Sequence, residues 1–451
     1  MSSADLVIIN GRVAMSSSVR NVAVAAKGGK ISWIGSSSCA PRAEKTVDAA
    51  GLLVLPGVID VHVHLRDPGA TYKEDFASGT AAAAAGGVTT VFDMPNNPIP
   101  TKDVSALREK ERVAASKAIV DYGLYGLLTE GNSAEIEPMI GEGAIGFKCY
   151  MAETTGRYAP PPERELVRDM KAIGRARRRL SVHAEDDATI RKRVSDLMAR
   201  GRDDPLAHYE SRPEEAEQKA VVRAIALARE SKCDTHIAHL SSAAGAKAVR
   251  QAKRSLKGRL TAETCPQYLL LDKGDYADKG SIMKVNPAIK TRKDREALWA
   301  AVRDGTVDMI ATDHAPHSID EKTSGPSVFA RASGFPGLET SVALMLTCVN
   351  RRLISLARYV RMTSEAPAKA WGIFPKKGAI HVGADADFTV VDLKRDWRIR
   401  AAEFRSKAKY SPFDGFKAKG AAVYTVVRGH VVMDHGEVDL AHRGEMQRPV
   451  S

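Results

Sequence analysis

Two histidines stand two residues apart in the apolar run VIDVHVHL: His62 and His64. A β-strand alternates its side chains with period two, so both imidazoles leave the same face. Two imidazoles on one face at the end of an apolar strand make a ready chelate for a divalent metal. Three further apolar runs end in groups of the same chemistry. RLSVHAE carries His183, CDTHIAHL carries His239 and VDMIATD carries Asp313. Core packing accounts for one polar group at a strand end, but not for four strands that each deliver His or Asp. His236 and His239 lie three apart, so alternation lets only one of them face inward. His239 is the choice, because Leu-Ser-Ser follows it and the strand there gives way to a helix start. His314, beside Asp313, alternates away from it and reads as structural.

Lys148 is the lone charge in the apolar run AIGFKCYM. A buried, unpaired ammonium is costly, so the amine must pair, lose its proton or be modified. A lysine that snorkels to solvent is the plain alternative. Addition of carbon dioxide to the neutral amine gives an anionic carbamate with two oxygens, able to bridge two metals. Four histidines, Asp313 and a carbamate on Lys148 then form a complete ligand set for two ions.

The elements that must position these groups follow from the pattern around them. Eight strand candidates lie between residues 56 and 372: VIDVHVHL, VTTVFDM, IVDYGLYGLL, AIGFKCYM, RLSVHAE, CDTHIAHL, RLTAETC and VDMIATD. Most are followed by helical stretches, such as VSALREKERVAASKA and PEEAEQKAVVRAIALARE. Eight such repeats predict a (β/α)8 TIM-type barrel, whose C-terminal strand ends form the active face. No GxGxxG follows an early strand, which argues against a doubly wound sheet. Residues 1–55 and 373–451 read differently, as short β-branched runs broken by turns such as Lys-Gly-Gly-Lys. They predict one small β-sandwich domain built from both chain ends, around a barrel spanning 56–372.

Composition sets the outer limits. With 44% hydrophobic and 27% charged residues, the 451-residue chain is an ordinary globular sequence. Lys plus Arg exceeds Asp plus Glu by 67 to 55, a formal charge of +12. The basic residues are scattered, apart from Arg175, Arg177, Arg178 and Arg179, and no nucleic-acid-binding motif accompanies them. Nucleic acid is therefore not an expected partner. The five cysteines stand alone, without a CxxC, which is a reduced, intracellular pattern. No apolar run approaches the roughly 18 residues that span a bilayer, and the N-terminus has no signal-peptide pattern. A cytoplasmic protein without membrane contact is expected.

Eight motifs occur together and in order: PGVIDVHVHLRDPG, AAAAAGGVTTVFDMPNNPIPT, GFKCYMAETTG, SVHAED, IAHLSS, KVNPAIK, ATDHAPH and SGFPGLET. This set resembles the cyclic amidohydrolases of the amidohydrolase superfamily, and within them the long-class dihydroorotase family. The resemblance implies that His62, His64 and Asp313 bind one zinc and that His183 and His239 bind the other. Lys148 falls where many members carry a bridging carboxylated lysine. Arg66, Asn96, Asn286 and His317 resemble substrate-binding residues, with His64 shared between the two sets. Ser333 and Gly334 fall where the family makes backbone contacts to the substrate ring. Two departures stand out. Asn97 replaces a common Thr, and Lys290 replaces a common Arg, whose planar fork Lys lacks.

The implied reaction is reversible opening of a six-membered cyclic amide, dihydroorotate plus water giving N-carbamoyl-aspartate, within pyrimidine biosynthesis. Asp313 would act as base and then as acid. The same metals serve allantoinase and hydantoinase, which are the alternative activities. A barrel that has lost catalysis is a further alternative, but such chains shed metal ligands and this one keeps every candidate. The family also suggests a homo-oligomer, with a carbamoyltransferase as a candidate partner.

Overall fold

All eight apolar runs form strands of one parallel sheet in the computed structural model, which describes residues 3–153, 158–256 and 258–449. The strands are β1 (Val58–Val63), β2 (Val88–Asp93), β3 (Asp121–Leu127), β4 (Gly146–Tyr150), β5 (Arg179–His183), β6 (Asp234–Ile237), β7 (Leu260–Thr264) and β8 (Met309–Ile310). Each pairs with its neighbour in sequence. A parallel bridge between Val63 and His314 joins the last strand to the first. There the His64 N–H donates to the His314 carbonyl at 2.7 Å. The architecture is a (β/α)8 barrel. Thr154, Thr155 and Gly156 of the GFKCYMAETTG motif lie outside the described residues.

Helices cover the outside, and their starts are written in the sequence. Asp75 caps Phe76–Gly86, accepting from the Ser78 N–H, while the Ser78 hydroxyl oxygen accepts from the Asp75 N–H. Asp103, Ser242 and Thr291 cap Val104–Lys117, Ala243–Lys253 and Arg292–Asp304, each side chain accepting from the N–H three residues on. Each cap satisfies backbone N–H groups that the first helical turn leaves open, and is worth about 1 kcal/mol. Inside the barrel, Ile59, Val61, Phe92, Tyr125, Ile145 and Met309 pack with Trp371 and Ile373 into an apolar floor. A register irregularity between Asp60 and Val63 then changes which residues of β1 look inward. Ile59 and Val61 join the floor, whereas Val63 and Leu65 join the cluster that includes the surrounding helices. His62 and His64 are left facing the space above the floor.

The two chain ends form two further sheets. A four-stranded sheet is built from Ala4–Ile9, Ala23–Lys27, Lys30–Gly35 and Ala43–Asp48. A seven-stranded sheet combines Arg12–Ala14, Val19–Asn21 and Leu53–Pro56 with Phe388–Arg398, Lys417–Val427, His430–Asp434 and Glu437–Val438. Leu6, Ile8, Val24 and Val47 of the first sheet share one apolar cluster with Val54, Phe388, Val390 and Val426 of the second. That shared layer makes the pair a β-sandwich.

The C-terminal residues do not stay with the sandwich. The Glu445 carbonyl accepts from the Tyr122 N–H and the Gln447 N–H donates to the Tyr122 carbonyl, so the tail runs beside β3. At this lower end of the barrel Lys377, Asp121, Asp385 and Asp387 form a buried charge cluster. Lys377 Nζ lies 2.7 Å from Asp121 and 3.2 Å from Asp385, and also contacts Asp387. Arg179, from the densest basic stretch, is turned inward and donates to the Ala370 and Arg259 carbonyls. Among the described residues no helix is long and apolar enough to cross a membrane.

Candidate metal and substrate site

The C-terminal strand ends bring the predicted ligands together around one narrow cavity. His62, His64, Arg66, Asn96, Tyr150, His183, His239, Asn286, Asp313 and Ser333 line it, with Val285 and Ala315. Asn286 and Ser333 also line an adjoining cleft of about 1000 Å³. Three of the site residues adopt left-handed backbone: Arg66 with φ 61°, His239 with φ 35° and Asp313 with φ 51°. Side chains with a Cβ avoid this region, and such strain gathers at functional sites.

Hydrogen bonds fix which nitrogen of each imidazole carries the proton. His62 donates from Nδ1 to Glu263, and His64 donates from Nδ1 to Asn96 Oδ1 at 2.8 Å. Their Nε2 lone pairs both point at Asp313 Oδ1, at 3.3 Å and 3.2 Å. His183 donates from Nε2 to Glu185 at 3.0 Å, and its Nδ1 meets His239 Nε2 at 2.9 Å. Burial lowers the pKa of His62 to about 4 and depresses those of His64, His183 and His239. Burial thus favours the neutral form of all four rings.

Two ring nitrogens and a carboxylate oxygen thus converge on one point. Such a set repels itself unless a cation stands at its centre, so the residues fit a divalent metal. His62, His64 and Asp313 place ligand atoms within 4.8 Å of one another. Lys148 is fully buried beneath the cavity, with Nζ 3.5 Å from His62 Nε2. Burial pulls its pKa down to about 8 against the opposing pull of Glu263 and Asp313.

The family model for amidohydrolases matches residues 53–432. This chain belongs to the amidohydrolase family. It is 36% identical to an L-hydantoinase of Paenarthrobacter aurescens over 438 residues, covering 96% of this chain and 95% of that one. It is 37% identical to a dihydroorotase of Pyrococcus furiosus, over 97% of this chain and 95% of the relative. It is 34% identical to an allantoinase of Solibacter usitatus, over 99% and 97%. Among solved structures, L-hydantoinase from Arthrobacter aurescens superposes with a TM-score of 0.94 at 36% identity, covering 97% of both chains.

The remaining predicted residues of this amidohydrolase fall in two groups. Arg66 is buried on the cavity wall; Nε donates to the Pro316 carbonyl at 3.1 Å, and Nη2 lies 3.1 Å from His317 Nε2. His317 stands behind Arg66 rather than on the narrow cavity, and its Nε2 is also 3.1 Å from the Ser333 carbonyl. Asn286 follows Val285 on the wall, and among the described residues its buried Oδ1 has no hydrogen-bond partner. Gly334 is not brought to the cavity. Its N–H donates to the Lys284 carbonyl at 2.9 Å, and a Cβ there would meet the Ala315 carbonyl at 2.5 Å. Lys290 lies away from the cavity, donating to the Arg212 carbonyl.

Strand alternation does not separate His236 from His239. Strand β6 ends at Ile237, and the left-handed turn at His239 re-aims its ring, so both histidines are buried toward the barrel axis. His236 packs on Trp371 with ring centres 5.0 Å apart, while His239 reaches the cavity.

Sequence reasoning missed three residues that the site depends on. Glu263 on β7 accepts from His62, from His236 at 3.0 Å and from the His239 backbone N–H at 3.1 Å. One carboxylate thereby orients a predicted ligand from each side of the pair. Burial raises the Glu263 pKa, but His62 and His236 outweigh it and hold the group well below the usual carboxylate range. Glu185 does the same for His183 and is itself paired with Arg212. Its pKa is held at about 2, because Arg212 and His183 outweigh burial. The third residue is Tyr150, whose hydroxyl is buried on the cavity wall. The signal that could have found Glu263 and Glu185 is a lone carboxylate inside an apolar strand, in RLTAETC, and one just beyond a strand that carries a ligand candidate, in SVHAED.

Proposed function

We propose that this amidohydrolase is a dihydroorotase, interconverting dihydroorotate and N-carbamoyl-aspartate in pyrimidine biosynthesis. Arg66 carries the reading. Its guanidinium is buried on the wall of the metal cavity, and among the described residues Nη1 has no hydrogen-bond partner. A buried arginine with an unused edge is suited to a planar carboxylate. Dihydroorotate bears a ring carboxylate, whereas hydantoin and allantoin rings do not. Asn96, on the same wall and already bonded to His64, adds an amide beside it.

Two divalent ions, zinc being the expected metal, would supply a bound water acidified toward neutrality and a Lewis-acid contact for the amide oxygen. His62, His64 and Asp313 would hold one ion, and His183 and His239 the other. The burial that disfavours the Lys148 ammonium favours the neutral amine, the form that adds carbon dioxide to give a bridging carbamate. Asp313 accepts the proton of the attacking water and returns it to the amide nitrogen as the C–N bond breaks. In ring closure the same carboxylate takes the proton from the ureido nitrogen. Arg66, Asn96 and Asn286 hold the ring so that only one carbonyl lies over the reacting centre.

Full-length likeness to hydantoinase and allantoinase relatives supports the second reading, a cyclic amidohydrolase of another ring. A substrate panel of dihydroorotate, hydantoin and allantoin, run with metal analysis on the same sample, decides between them. The expected result is a kcat/KM for dihydroorotate at least tenfold above the others. Preference for hydantoin or allantoin would replace the assignment. Lys148→Ala should lose most activity and recover part of it with a short carboxylic acid and metal. Native mass showing an unmodified lysine in metal-loaded protein would remove the carbamate.

A further inference from the structure

Tyr150 ends β4 and is 3% exposed, yet among the described residues its buried hydroxyl has no hydrogen-bond partner. Leaving a phenol dry and unpaired costs stability, and native structures tolerate it mainly where something else is meant to fill the gap. The hydroxyl belongs to a ring that lines the metal cavity. The ring lies 6.0 Å from the His183 ring, centre to centre, and its centre is 5.4 Å from Lys148 Nζ. Tyr150 therefore stands over the predicted metal bridge and beside a ligand of the second ion.

Strand order places it relative to the rest of the machinery. In an eight-strand ring β4 lies across from β8, and β1 adjoins β8 through the Val63–His314 bridge. Asp313 follows β8 and Arg66 follows β1. A ring bound over the metals thus has its anchor and its proton carrier on one side and Tyr150 on the other.

We infer that the Tyr150 hydroxyl donates a hydrogen bond to the oxygen of the amide carbonyl under attack. As the nucleophile adds to carbon, the C=O π pair moves onto that oxygen and the donated bond strengthens with the developing charge. No proton leaves Tyr150. Asp313 carries the only proton that moves, from the nucleophile to the leaving nitrogen. The inference rests on the cyclic-amide reading of the site, not on which ring is the substrate.

Tyr150→Phe tests it, because the ring that packs on His183 is kept and only the O–H is removed. The assay uses whichever of dihydroorotate, hydantoin and allantoin the wild-type enzyme turns over best, so a failed dihydroorotase assignment leaves this test intact. Expected is a fall in kcat of about 10²–10³-fold, the range for losing one oxyanion donor. KM should stay within about threefold, and metal content should not change. Affinity for a tetrahedral ring analogue should fall by a factor like that in kcat, while product affinity holds. A kcat within threefold of wild type would overturn the inference. So would a rise in KM alone, which would place the hydroxyl in ground-state binding.

Discussion

Two buried polar clusters occupy opposite ends of the barrel, and each gathers three ligand-type residues at one point. At the lower end Asp121, Asp385 and Asp387 surround Lys377, while Arg428 Nε stands 3.2 Å from Asp121 and Lys30 Nζ 2.5 Å from Asp385, so three cations face three carboxylates. The chain supplies both signs of charge, so the cluster is complete as folded. At the upper end His62, His64 and Asp313 turn lone pairs toward one another, and Glu263 and Asn96 hold the protons on the far sides of the rings. That cluster is complete only with a cation from outside. Geometry alone marks both as metal sites. The charge inventory separates them: a self-neutralised set joins parts of the chain, and a set of converging ring nitrogens and a carboxylate fits an added cation.

The comparison breaks most visibly at Asp313. Asp313→Asn keeps the size of the side chain but cannot carry a proton, and kcat should fall by about 10³–10⁴-fold in both directions. Near-normal turnover would remove the acid–base role. The lower cluster should respond in stability instead. Lys377→Met removes the buried cation that all three carboxylates share, at a cost of about 3–5 kcal/mol in denaturant unfolding. The penalty should ease as the pH falls, because unpaired buried carboxylates have raised pKa values and a fold that binds protons more tightly gains stability in acid. Metal content and kcat of the folded fraction should not change.

Smaller effects sharpen the distinction. Arg66→Met should lower kcat/KM for dihydroorotate by about 1.5–3 kcal/mol, the range for a charged hydrogen bond, with metal content intact. An equal loss on a ring without a carboxylate would show that Arg66 does not read that group. Glu263→Gln should weaken metal affinity by about 10–100-fold, as loss of an orienting partner does, measured by chelator competition. Unchanged affinity would mean that His62 holds its orientation without Glu263. The smallest expectation is a count. Metal analysis should find about two ions per chain, and a third, removed by disrupting Asp385, would make the lower cluster a metal site after all.

Much of this molecule was readable from residue types and spacing. The eight strands follow from apolar runs with turn or helix signals between them, since a strand buried on both faces must be apolar along its length. The ligand candidates were readable because His62, His64, His183, His239 and Asp313 interrupt those runs near their ends, where apolar packing has no use for them. The sandwich was readable from the β-branched, turn-broken ends of the chain. The choice between His236 and His239 was readable only in its outcome. The local reason lies in a left-handed turn at His239, which alternation along a strand does not foresee.

The sequence by itself determined the barrel and the polar groups at its strand ends, because hydrophobic period and the position of a polar residue within a run are local properties of the chain, and its eight ordered motifs carried the family resemblance. Only the tertiary structure decided which groups complete the site. Glu263 meets His62 across 201 residues of sequence, and the Asp121–Lys377 pair spans strand β3 and the segment that leads into the sandwich. In the sequence Glu263 is one carboxylate in a strand, Tyr150 one aromatic at a strand end, and Lys377 one of 67 basic residues. Their meaning comes from burial and from which partner stands opposite. Both are set by the closure of eight strands into a ring, which brings β7 to β1 and sets β4 across from β8.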